Sequence, residues 1–262
     1  MHNDDDGPQL GHDLKTMVRL HRRAVLRGVF GLSAGVVVSR LAACVASSSD
    51  LALENEDGTC NDIPEETGGP YPGDGTNGKN ALVLDGIVRS DLTRTIGGAT
   101  APGLPLAVTL RLLDGACAPL ANKAIYLWHA DANGDYSMYA LPNENWCRGI
   151  QVTDDDGRVT FHSVFPGCYD GRWPYIHFEI YDSVDGATSS SGLLRTSQLA
   201  LPEDACNEVY AEAGYEDSVD NFAKADLGSD IVFSDGVGRQ LATVDGSVEG
   251  GLTCSLSFTV DV

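Results

Sequence analysis

Leu252-Thr253-Cys254-Ser255-Leu256-Ser257-Phe258-Thr259-Val260 alternates without a break. Leu252, Cys254, Leu256, Phe258 and Val260 fall on one face; Thr253, Ser255, Ser257 and Thr259 fall on the other. A strand with one face on a core and the other in water needs that period of two. Toward the N-terminus, further strand-like runs stand at 240–244, 175–181, 158–164, 124–129, 106–113 and 81–88. Asp-Gly pairs punctuate them, among them Asp85-Gly86, Asp114-Gly115, Asp156-Gly157 and Asp245-Gly246, and this dipeptide suits turns that need positive φ. Helical signal is confined to 203–213, after Pro202, and to 217–225. There is no internal repeat. The pattern predicts an all-β domain over 81–262, a β-sandwich with small helical insertions.

Composition narrows the function classes. The 262 residues carry 17 Lys+Arg against 38 Asp+Glu, a formal net charge of −21. A chain that acidic repels phosphate backbones and anionic lipid surfaces, which excludes nucleic acid as a partner. At 42% hydrophobic residues the chain has ordinary globular content, so wholesale disorder is excluded as well. No Gly-x-Ser-x-Gly, phosphate loop or dinucleotide fingerprint is present, which leaves hydrolase, kinase and Rossmann readings without support.

The N-terminus reads as a targeting segment rather than as fold. Arg22-Arg23 precedes an apolar run from Val29 to Val38, too short to span a bilayer, and the run leads to Leu41-Ala42-Ala43-Cys44. The arginine pair resembles a twin-arginine signal, and the Cys resembles a lipobox residue that becomes a lipidated terminus. Residues 1–43 are therefore expected to be an export signal and Cys44 a lipid anchor, the protein's one route to a membrane. The Ser-, Gly-, Pro- and Asp-rich segment 44–80 is expected to be a flexible tether. Setting Cys44 aside leaves Cys60, Cys117, Cys147, Cys168, Cys206 and Cys254, which in an exported chain fit up to three disulfides of undefined pairing. None lies in a Cys-x-x-Cys pair, so no zinc or redox motif is indicated.

Two segments concentrate chemistry. One is Leu127-Trp128-His129-Ala130-Asp131-Ala132-Asn133-Gly134-Asp135-Tyr136-Ser137. The other runs from Arg148-Gly149 through Thr153-Asp154, Gly157 and Phe161 to Pro166-Gly167-Cys168-Tyr169-Asp170-Gly171-Arg172-Trp173-Pro174-Tyr175-Ile176-His177-Phe178. Strand parity puts Tyr175, His177, Glu179 and Tyr181 on one face, with Ile176, Phe178 and Ile180 on the other. Same-face neighbours in a strand lie roughly 7 Å apart, near enough for Tyr175 and His177 to reach one metal ion. Phenolate and imidazole together suit a hard, oxidised metal such as ferric iron. The acidic stretches around Asp131 and Asp154 lack the Glu and flanking helices of a calcium loop and read as turn residues.

Together these segments resemble the intradiol ring-cleavage dioxygenases, the protocatechuate and catechol enzymes and their exported relatives, over roughly residues 81–181. The resemblance implies a β-sandwich holding non-haem Fe(III) with two tyrosines and two histidines. It also implies a catechol-type substrate and O2, and cleavage between the hydroxyl-bearing carbons to a muconate-type diacid. By position, Tyr136 and Tyr169 match the family's tyrosine ligands, with Tyr169 also the base for the substrate proton. His177 matches the second histidine of His-x-His, and Arg172 the arginine beside the substrate.

The departure is Tyr175, which stands where the family has the first histidine. Three outcomes are open: a third phenolate ligand of lower Lewis acidity, a Tyr175 turned away from a three-ligand site, or loss of iron and catalysis. His129 and His162 are candidates to replace the missing imidazole. The rival reading is a non-catalytic exported binding or interaction module, since Thr153-Asp154-x-x-Gly157 with Pro166-Gly167-x-Tyr169 also resembles small prealbumin-like sandwich domains.

Overall fold

The computed structural model describes residues 60–189 and 192–261. The expected export signal over 1–43, the expected lipidation site Cys44 and the first part of the expected tether lie outside the described residues. Among the described residues eight strands form two four-stranded sheets. They are β1 (Pro105–Leu113), β2 (Ala124–Trp128), β3 (Arg148–Val152), β4 (Arg158–Val164), β5 (Tyr175–Tyr181), β6 (Leu193–Ala200), β7 (Thr243–Ser247) and β8 (Gly251–Thr259). One sheet has the order β4-β1-β8-β7 and the other β3-β2-β5-β6. All pairings between these strands are antiparallel except β1 with β8. The helices are short: α1 (Val184–Ser189), α2 (Glu203–Val209) and α3 (Glu216–Phe222). Among the described residues no helix is long and apolar enough to cross a membrane.

The predicted faces of β8 and β5 build the core. Leu252, Cys254, Leu256 and Phe258 join Leu106, Val108, Leu110 and Leu112 of β1 against Ile176, Phe178 and Ile180 of β5. Phe178 and Phe258 meet with ring centroids 4.9 Å apart. Burying such side chains contributes about 1.5–3 kcal/mol each, which makes this interdigitation the main source of stability.

Four expectations change. Residues 81–88 form successive turns rather than a strand, with Leu84 N bonding Ala81 O and Ile87 N bonding Leu84 O. Their buried members Ala81, Leu82 and Ile87 are not spaced by two, and they pack against Tyr126 and Trp128 on the outer side of the second sheet. The run at 240–244 pairs three residues later, as β7. Strands β3 and β6 were not expected.

The fourth change is the tether, because residues 60–80 are laid down as a strap. Ile63 N bonds Thr259 O, Glu66 N bonds Thr196 O, and Gln198 Nε2 donates to Thr67 O. Asp62 pairs with Arg195 at 2.9 Å, and a disulfide joins Cys60 to Cys117. Cys147, Cys168, Cys206 and Cys254 are free and buried, so one of the three expected bridges is present among the described residues.

Candidate metal and substrate site

The site lies on the outer face of β5, the face turned away from the sandwich core. Cross-strand pairing sets Arg148, Trp128, His177 and Gln198 in one row across the sheet. The strap covers that row. Arg148 is fully buried and donates to Ser137 Oγ, Ser137 O, Pro72 O, Tyr71 O and Tyr126 Oη. A buried guanidinium satisfied by so many oxygens fixes both the strap and the 137 region against the sheet.

Two loops bring the tyrosines in. Asp131 Oδ1 accepts the N–H groups of Asn133 and Asp135, which shapes the turn as expected for these residues. Gly167 N then donates to Asp131 O. A Cβ on Gly167 would lie 2.2 Å from Ala132 O, and one on Gly134, at φ +81°, would crowd Tyr169 Cβ at 3.2 Å. Glycine at both positions therefore permits the close approach that sets Tyr136 beside Tyr169. Helix α3 clamps the second loop, with Ser218 Oγ accepting from Cys168 N and Asn221 Nδ2 donating to Cys168 O.

Three phenol hydroxyls converge. Tyr136 Oη donates to Tyr175 Oη at 3.0 Å, and Tyr169 Oη shares a hydrogen bond with Tyr175 Oη. Tyr175 is buried and directed into the cluster rather than away from it. Burial, with Tyr175 and Tyr169 close by, pushes the Tyr136 hydroxyl well above its ordinary value. Burial and Tyr175 push Tyr169 up in the same way.

His177 sits beside Tyr175, ring centroids 4.8 Å apart, and 6.5 Å from Tyr136. Its ring stacks on Trp128 at 4.6 Å and 6°. Burial, then the charges of Arg172, Arg148 and His129, hold it well below the usual imidazole range, so it is neutral. Its Nδ1 is buried without a hydrogen-bond partner among the described residues.

Arg172 lies with Cζ 4.0 Å over the Tyr175 ring. Its Nε pairs with Asp230 at 2.9 Å and its Nη2 donates to Gln198 Oε1. Burial works against the Asp230 carboxylate, yet Arg172 and the N–H groups of Trp173 and Val232 hold it below the usual range. Neither expected substitute for the missing imidazole fits. His129 is buried with Nδ1 on Ala130 O and Nε2 on Ser163 Oγ. His162 is exposed on β4, a strand of the other sheet. Sequence reading missed Trp128, Gln198 and Asp230 as partners. Gln198 was reachable only by recognising β6, whose register pairs it with His177.

A β-sandwich carrying phenols and an imidazole on the outer face of one sheet defines the class. The Dioxygenase family model matches residues 81–182, which hold Tyr136, Tyr169, Arg172, Tyr175 and His177. An intradiol ring-cleavage dioxygenase from Tetranychus urticae superposes with a TM-score of 0.61 at 25% identity, covering 77% of this chain and 95% of that one. The dioxygenase domain of a carbohydrate-binding fusion from Streptomyces sp. SirexAA-E gives 0.51 at 25% identity, over 77% and 99%. A chlorocatechol 1,2-dioxygenase of Rhodococcus opacus is 34% identical over 134 residues, 44% of this chain and 52% of the relative. Catechol 1,2-dioxygenase 2 of Acinetobacter lwoffii is 34% identical over 90 residues, 34% and 32%. The matches thus span about half the length of the first of these relatives and a third of the second. Over residues 81–182 the chain matches that family model, and its β-sandwich is the fold of the intradiol ring-cleavage dioxygenases.

Proposed function

We propose that this protein is a non-haem Fe(III) intradiol dioxygenase acting on a catechol-type ring with O2. The observation that carries the proposal is the convergence of the Tyr136, Tyr169 and Tyr175 hydroxyls beside a neutral His177. The donor set fits a hard trivalent cation: three phenol oxygens, and a buried imidazole whose Nδ1 has no partner among the described residues. Tyr136, Tyr169, His177 and Tyr175 would hold the ion. Ferric iron held there would supply Lewis acidity toward a catechol-type substrate.

The chain's own residues do the rest. Burial keeps His177 unprotonated and able to donate a lone pair at neutral pH, and Trp128 fixes its ring plane. Tyr169 is the more exposed of the two loop tyrosines and sits on the turn held by α3, so its Oη is placed to take a substrate proton. Arg172, fixed by Asp230 and Gln198, brings a positive charge to the wall where charge develops on the ring. The hydrogen-bonded phenols also satisfy one another without a cation, which favours the second reading, a non-catalytic exported β-sandwich module. Export by the twin-arginine route, with lipidation at Cys44, belongs to either reading.

Oxygen uptake by the iron-loaded mature chain on adding catechol separates the two, with the muconate-type product followed in the ultraviolet. Turnover is expected, and Tyr175→His should raise it about tenfold by restoring a neutral ligand. Absence of uptake in both proteins would remove the enzyme reading.

A further inference from the structure

A second space adjoins the phenol cluster. A cavity of about 430 Å3 lies between the strap and the 134–140 loop, lined by Tyr71, Tyr136, Tyr139, Gly134, Lys79 and Asp135 among others. Tyr136 belongs to both places, its hydroxyl in the cluster and its ring in the cavity wall. Gly134 also touches both, since it packs against Tyr169. Three rings form one wall, with Tyr71 5.0 Å from Tyr136 and 5.0 Å from Tyr139, tilted by 39° and 54°.

The wall is built rather than incidental. Tyr139 Oη accepts from Gly73 N and donates to Asn77 Oδ1, which ties the loop to the strap. Tyr71 is held through its carbonyl by Arg148 while its side chain stays 39% exposed. A cavity of roughly 150 Å3 is enough for one benzene ring, so this one has room for a second ring and its substituents. Aromatic faces prefer tilted or offset partners at these separations, and a flat ligand ring meets that preference better than an alkyl chain.

Resting on the catechol reading above, we propose that this cavity is a substituent subsite that selects aryl-extended catechols: one ring at the phenol cluster, the second against Tyr71, Tyr136 and Tyr139. Lys79 is the one ammonium among the described lining residues, and it would meet an oxygen acceptor on the second ring. Asp135 disfavours a carboxylate on its own side and so orients that acceptor toward Lys79.

Binding to the mature chain is measured by calorimetry with three probes: catechol, 4-phenylcatechol and biphenyl-4-carboxylate. The last lacks adjacent hydroxyls and is used on iron-loaded and iron-stripped protein. 4-Phenylcatechol is expected to bind iron-loaded protein about tenfold more tightly than catechol, and Tyr71→Ala to cut that ratio to about twofold. Biphenyl-4-carboxylate is expected to bind with or without iron and to weaken about threefold or more in Tyr71→Ala and in Lys79→Met. Equal affinities for the two catechols, or a ratio that Tyr71→Ala leaves intact, would overturn the subsite. Failure of the catechol reading would look different: no response to catechol, with biphenyl-4-carboxylate binding and its dependence on Tyr71 unchanged.

Discussion

The two faces of β5 carry opposite kinds of order. Ile176, Phe178 and Ile180 face inward, apolar and closed, with nothing to satisfy except packing. Tyr175, His177, Glu179 and Tyr181 face outward and are as thoroughly buried, but under a strap and two loops instead of a second sheet. There every polar atom needs a partner. Glu179 takes the Tyr181 hydroxyl at 2.6 Å, and burial lifts its carboxyl to about 7. One strand thus separates stability from chemistry by a period of two. Two buried imidazoles repeat the contrast: His129 has both nitrogens bonded, and His177 Nδ1 has no partner among the described residues.

The inner face is where substitution should cost most. Phe178→Ala empties a position against Phe258 and is expected to lower unfolding free energy by about 3–5 kcal/mol in denaturant titration. A loss below about 1 kcal/mol would mean that the core does not close around this ring.

His129 sharpens the contrast through pH. Burial holds its pKa down at about 4, against the ordinary 6.5. Between those values the unfolded chain binds more protons than the folded one, so this residue's contribution to stability grows as pH rises through the window. Asp131 and Glu179, raised to about 6 and about 7 by burial, act in the opposite direction. The difference between wild type and His129→Asn isolates the histidine. It should grow by up to about 3 kcal/mol from pH 4 to pH 6.5, measured as midpoints across pH. A flat difference would show that His129 titrates normally.

The outer face should show the reverse balance. Tyr136→Phe removes one hydroxyl from the phenol cluster and is expected to shift stability by only about 1 kcal/mol. A shift near that of Phe178→Ala would make the cluster a structural element and blur the division between the faces.

The inner face was legible in the sequence because hydrophobic alternation reports one-sided burial. Residues 252–260 and 175–181 each announce the strand they form. The outer face was legible only in part. Tyr136, Tyr169, Arg172, Tyr175 and His177 stand out as a spaced pattern, and the structure brings them together. Strand β6 was hidden because Thr196 and Gln198 enter a buried polar layer, so its burial leaves no alternation to read. The strap was hidden for another reason. Its Gly, Pro and Asp composition is that of a linker, while the bonds that hold it run from Glu66 to Thr196 and from Thr67 to Gln198. No local pattern encodes such distant partners. Nor does spacing show that Tyr175 turns into the phenol cluster, which depends on loops from both sides.

The central claim is that the outer face of β5 holds ferric iron through phenols. Iron content and the visible spectrum of the mature chain, prepared with iron available and titrated with catechol, test it most directly. The account predicts close to one iron per chain and a red-brown tyrosinate band that shifts with catechol and is lost or weakened in Tyr136→Phe. A colourless protein that takes up no iron on reconstitution would contradict it.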